Sequence, residues 1–79
     1  MMQVVNDPLQ LYREADEAGI DVVWMPLRVD RSIATQFDDG SCAIGLDPWK
    51  MCSLAEEAVC LGHELGIVTR GAFITDTPN

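Results

Sequence analysis

The residues of this chain best placed to do chemistry are His63 and Glu64, in the run His63-Glu64-Leu65-Gly66. A helix carrying histidine, then glutamate, then a second histidine four residues after the first can hold a metal ion between two imidazoles. The glutamate then takes a proton from the metal-bound water. His63 and Glu64 supply the first half of that arrangement. Position 67, where the second imidazole would stand, is Ile67, which has no lone pair to give, and His63 is the only histidine among the 79 residues. A lone histidine near a helix C-terminus also suits the helix dipole with no metal present. The spacing leaves both readings open, a partial metal site and a solvated histidine.

Other residue types suggest chemistry more weakly. Cys60 lies one turn before His63 and could join it on a transition metal, although a lone helical cysteine is commonly small apolar filler. Cys42, Cys52 and Cys60 form no CxxC or CxxH pair and are expected to be reduced thiols. Asp38 and Asp39 precede Gly40 and read as a tight turn. Glu56 and Glu57 suit a helix N-terminus without any metal. Trp24 and Trp49 are expected in the core of so small a domain. Asp47-Pro48-Trp49-Lys50 reads as a helix-start motif, not a site.

The elements that must position these residues follow from local signals. Asn6-Asp7-Pro8 starts a helix, since an Asx cap followed by proline suits the first turn. Leu11, Tyr12, Ala15 and Ala18 continue it at helical spacing until Gly19, giving a first helix over about 8–18. Ile20 to Met25 reads as a strand closed by Pro26. Ser32 to Phe37 and Ser41 to Leu46 read as two more, joined at Asp38-Asp39-Gly40. The expected sheet is small, three-stranded and antiparallel. Ser53-Leu54-Ala55-Glu56 is a capping box that opens a second helix. That helix is expected to end near Leu65 with Gly66 as its cap, laying Leu54, Ala58, Leu61 and Leu65 on the sheet. The fold class is therefore α+β, in one small domain over 1–79. Residues 67–79 show no clear period, and the end from Thr75 reads as frayed.

Composition sets the outer limits. Hydrophobic residues make up 48% and charged residues 23%, which is ordinary globular usage and not that of a disordered chain. Thirteen acids against five bases give a net charge of −8. Five scattered cations build no basic patch, so neither nucleic acid nor an anionic membrane is expected as a partner. No charged-then-apolar leader opens the sequence, and no apolar run approaches roughly 18 residues, so the expected location is cytoplasmic. A chain this short buries only about 60% of the surface its unfolded form exposes, which makes association helpful.

Taken in order, Leu11-Tyr12-Arg13-Glu14-Ala15, Gly19-Ile20-Asp21-Val22, Asp38-Asp39-Gly40-Ser41, Asp47-Pro48-Trp49-Lys50 and His63-Glu64-Leu65-Gly66 resemble the N-terminal part of the ImmA/IrrE metallopeptidases over residues 9–66. The resemblance implies a truncated zincin-like domain of a kind carried on phages and mobile elements, in a family where zinc is bound and some members act on a repressor. It implies His63 as first zinc ligand and Glu64 as general base. It also implies that the second histidine is replaced by Ile67 and that the third, acidic ligand has no counterpart here. A catalytic zinc normally needs three protein ligands. The expectation is thus an inactive homologue that at most binds protein and needs no cofactor. The alternative is a zinc peptidase acting on a repressor-like regulator with its site completed in trans. Read one base earlier from the Gly66 codon onward, the tail can spell His-Cys-Asp-Thr-Gly-Ser-Phe-Tyr-Asn-Arg-Tyr-Ser, which resembles the family's continuation. Residues 67–79 are accordingly expected to be a frameshifted tail. Missing C-terminal helices would leave Ala55, Val59, Cys60, Ile67 and Val68 as an apolar face, predicting a homodimer through it.

Overall fold

The computed structural model describes residues 7–73. The order of elements is α1 (Pro8–Glu17), β1 (Asp21–Trp24), β2 (Ser32–Gln36), β3 (Cys42–Leu46) and α2 (Leu54–Arg70). This is the expected α+β arrangement of helix, three strands and helix. Local chemistry starts and stops each piece. Asp7 caps α1 by accepting the Leu9 N–H at 3.0 Å, and Gly19 takes φ 74° just beyond it. Ser53 Oγ accepts the Glu56 N–H at 3.1 Å, while Glu56 reaches back to the Cys52 N–H at 3.0 Å. That is the capping box moved one residue outward on its return arm.

Two expectations about these elements are corrected. α2 does not stop at Gly66 but continues through Ile67–Arg70 to Gly71, whose φ of 65° makes the left-handed cap. Gly66 lies inside the helix with the Arg70 guanidinium folded over it. A glycine weakens a helix without ending it where apolar residues beyond it still pack, and Val68 packs on the core. The expected fraying from Thr75 falls outside the described residues.

The sheet is mixed, not wholly antiparallel. β2 and β3 form the antiparallel hairpin across Asp38-Asp39-Gly40, but β1 runs parallel to β3 on its far side, giving the order β1-β3-β2. The chain leaving β1 therefore crosses the end of β3 before it enters β2. Asp47 makes that crossing possible. Its side chain is 3% exposed, and its carboxylate accepts the Leu27 N–H at 2.8 Å and the Trp49 N–H at 2.9 Å. Its own N–H donates to the Arg31 carbonyl at 2.9 Å. Lys50 donates to the carbonyls of Leu27 and Asp30 at 2.8 and 3.3 Å, pinning the same loop from the other side. The sequence motif 47–50 is thus a turn that clamps the crossing loop; the helix starts later, at Leu54.

Both helices cover one face of the sheet. Leu11, Ala15, Ile20, Ile44, Leu46, Ala58, Cys60, Leu61 and Leu65 form the core between them. Tyr12 on α1 donates to the Glu57 carboxylate on α2. Three placements differ from expectation. Trp49 is 86% exposed and Trp24 43%, so neither is core; the two-layer space is filled by aliphatic side chains. Leu54 is 71% exposed because the first turn of α2 overhangs the sheet. The expected apolar face of α2 is split as well. Cys60 is buried and Val68 packs on the core, leaving Ala55 and Val59 exposed. No helix of the described residues is long and apolar enough to cross a membrane.

The ladder itself shows which edge is free. Arg31 bonds Asp47 and Phe37 bonds Ser41 at the two ends of the β2–β3 pairing. Bonded and non-bonded pairs alternate in an antiparallel ladder. Ile33 and Thr35 are therefore bonded to β3, opposite Gly45 and Ala43. Ser32, Ala34 and Gln36 turn their N–H and C=O groups outward, where no strand pairs with β2 among the described residues.

Two predictions follow from this geometry. Ile33→Pro removes a ladder donor and Ala34→Pro removes one that faces outward, so urea unfolding should show Ile33→Pro the less stable by about 1–3 kcal/mol. The Leu27 N–H, helped by Trp49 and Lys50 against the cost of burial, holds the Asp47 carboxyl below the usual carboxylate range. A lowered carboxyl pKa stabilises the fold above the unfolded value and loses that effect as pH falls through the folded one. Thermal stability should thus hold at neutral pH and drop below about pH 4. Asp47→Asn should lower the midpoint at pH 7 by about 5–10 °C, since the amide NH2 must face one of two N–H donors, and should flatten the acid limb.

Candidate functional site

At about 100° per residue, Ile67 lies between His63 and Glu64 around the α2 axis, and Leu61 and Leu65 lie beyond Glu64. The core takes the leucines. The side of α2 bearing His63, Ile67 and the flank of Glu64 faces β2 instead. Between them lies an open groove of about 460 Å³, lined by Asp30, Ser32, Ile33, Ala34 and Thr35 from the sheet side and by His63, Glu64 and Ile67 from the helix. The free edge of β2 is one wall of this groove.

The two motif residues fare differently in it. His63 is exposed, as expected for its helical position. Glu64 is only 5% exposed. Its carboxylate accepts the Ser32 hydroxyl at 2.6 Å, which ties α2 to the edge strand. A carboxylate has room for about four hydrogen bonds. One is made here, and no Lys or Arg pairs with Glu64 among the described residues. A carboxylate so far out of water with one neutral donor is a costly arrangement unless something else approaches it.

The family resemblance implies His63 as a first zinc ligand, in a site that the sequence leaves incomplete. Among the described residues, no three His, Cys, Asp or Glu side chains gather closely enough to hold a metal ion. The described residues by themselves therefore do not fit a catalytic zinc. Cys60 belongs to the buried core cluster while His63 stands exposed, so burial separates that suggested pair. The other carboxylates noted in the sequence have structural partners. Asp39 accepts the Ser41 N–H and hydroxyl at 2.9 and 2.6 Å, which holds its carboxyl below the usual range. Glu56 pairs with Arg31 as well as capping α2, and Glu57 receives the Tyr12 phenol. Burial and then that carboxylate push the phenol well above its ordinary pKa.

Sequence reasoning missed Ser32 and Asp30. Both precede or open a strand and carry no motif. What could have found Ser32 is its strand parity, since it stands opposite Leu46 and so shares the helix-facing side of the sheet. A polar residue at such a position calls for a polar partner on the covering helix.

Ser32→Ala should cost about 1–3 kcal/mol in urea unfolding, because it leaves a buried carboxylate without its donor. The double variant Ser32→Ala/Glu64→Leu should recover part of that loss, as neither partner is then orphaned. Losses that simply add would remove the Ser32–Glu64 bond as a stabilising contact.

No protein-family model matches the chain, and no curated protein or solved structure matches it either.

Proposed function

We propose that this chain is a non-catalytic protein-binding module, an ImmA/IrrE-like core that takes an extended segment of another protein along the outer edge of β2. The observation that carries this reading is the free edge itself. Ser32, Ala34 and Gln36 present donors and acceptors in the alternate spacing that an added strand pairs with, beside a groove that can take its side chains. The missing second imidazole at Ile67, and the absence of a gathered ligand set among the described residues, favour binding over hydrolysis. The family likeness rests on the short motifs quoted above and on the helix–sheet–helix order. A repressor-like regulator, the partner that likeness implies, would offer such a segment from a loop or an unfolded stretch.

The test is a titration of the 15N-labelled chain with acetylated, amidated heptapeptides of alternating Thr and Val, to about 1 mM. The amide signals of Ser32, Ala34 and Gln36 should move together, and N-methylation of alternate peptide bonds should abolish the shifts. Ala34→Pro should weaken binding at least about tenfold while the far-UV spectrum keeps its shape. Shifts confined to other surfaces would overturn the reading. Zinc retained near one equivalent through dialysis, lost in His63→Ala and accompanied by cleavage of an added regulator, would instead establish the peptidase completed by another chain.

A further inference from the structure

We infer that the segment received by β2 carries an arginine or lysine at the position opposite Ser32, with its cationic head between Glu64 and Asp30. This inference rests on the edge-binding reading above and specifies its ligand. Residues directly opposite one another on neighbouring strands project to the same face of a sheet. Ser32 projects toward α2, since its hydroxyl reaches Glu64. A residue added opposite Ser32 on the outer side therefore also projects toward α2, into the groove that Glu64 lines.

Charge selects what that side chain is. The ionisable groups lining the groove are Asp30, His63 and Glu64. None of the chain's five cations lines it. Arg31 is turned to Glu56, Lys50 to Asp47 and the crossing loop, and Arg70 over Gly66. Glu64 is 95% removed from solvent, has one neutral donor, and keeps unused acceptor sites. An incoming guanidinium offers the planar N–H fork that suits a carboxylate and can fill those unused acceptor sites. The net charge of −8 adds a long-range attraction for a basic segment and repels a second copy of this chain from the same edge.

The experiment compares two heptapeptides of alternating Thr and Val that differ at the centre, Arg in one and Glu in the other, against the labelled chain at pH 8. The Arg peptide should bind at least about tenfold tighter, equivalent to about 1.4 kcal/mol, with the Ser32, Ala34 and Gln36 amides moving. Glu64→Gln and Asp30→Asn should each reduce that preference, and added salt should weaken it. Asp30 takes no part in the core, so its variant reads the charge effect even where Glu64→Gln disturbs packing. Equal binding of both peptides at the β2 edge overturns the basic-residue inference and leaves edge binding standing. A preference that survives both substitutions also overturns it. No movement of the β2 amides with either peptide removes both.

Discussion

The buried carboxylate of Asp47 is the constraint on which the rest of this structure depends. A strand, a crossing loop and a hairpin could lie side by side in sequence order, and then β2 would be the middle strand with both edges satisfied. Here β3 takes the middle, which requires the 25–31 stretch to pass over the end of β3 with its backbone groups still bonded. Asp47 accepts from one side of that passage and donates from the other, while Lys50 closes it from above. An ionised carboxylate accepting two backbone N–H groups is far better placed in low dielectric than either N–H left alone. Once the crossing is fixed, β2 is an edge, and its outward groups and the groove beside α2 follow.

An open edge is a hazard that proteins commonly blunt with lysine, proline or a bulge. β2, Ser-Ile-Ala-Thr-Gln, carries none of these. Its protection is electrostatic and belongs to the neighbours: Asp30 just before it and Glu64 behind it, on a chain of net charge −8. Negative charge discourages pairing between identical edges without capping the hydrogen bonds. It discriminates by the charge of the newcomer. A segment with a cation in the right register would not be repelled, so under the proposed edge binding the groups that guard the edge would also select its occupant.

Much of this was legible from local chemistry. The caps at Asp7 and Ser53, the turn at Gly40 and the type and order of all five elements follow from side chains acting within a few residues of themselves. What was not legible depends on non-local geometry. Strand order hung on which way the loop after Met25 travels, and the signal for it, Asp47, reads in sequence like a helix cap. The tryptophans look like core by size alone, yet a two-layer domain whose helices meet the sheet through Ile44, Leu46 and Leu61 leaves them outside. Gly66 reads as a stop in isolation. The packing of Val68 beyond it and the better cap at Gly71 carry the helix on for one more turn. Of the site, His63 and Glu64 were found by their motif. Ser32 and Asp30 were not, because their role is set by the register of the sheet against α2.

His63 and Glu64 are adjacent in sequence and about 100° apart on the helix, and that angle decides their fates. Turned slightly toward the leucines, Glu64 is drawn out of solvent and bonded to the edge strand, while His63 stays in water. In a helix with a second imidazole at position 67, a metal would sit between the two imidazoles. Here position 67 is Ile67, which lines the groove with apolar surface. With isoleucine there, the groove has no second imidazole to gather charge at a metal and has instead a surface against which a side chain can pack. The edge strand and the buried carboxylate stand beside it. The proposed recognition of an extended segment would need only those two, main-chain pairing for affinity and the carboxylate for selectivity.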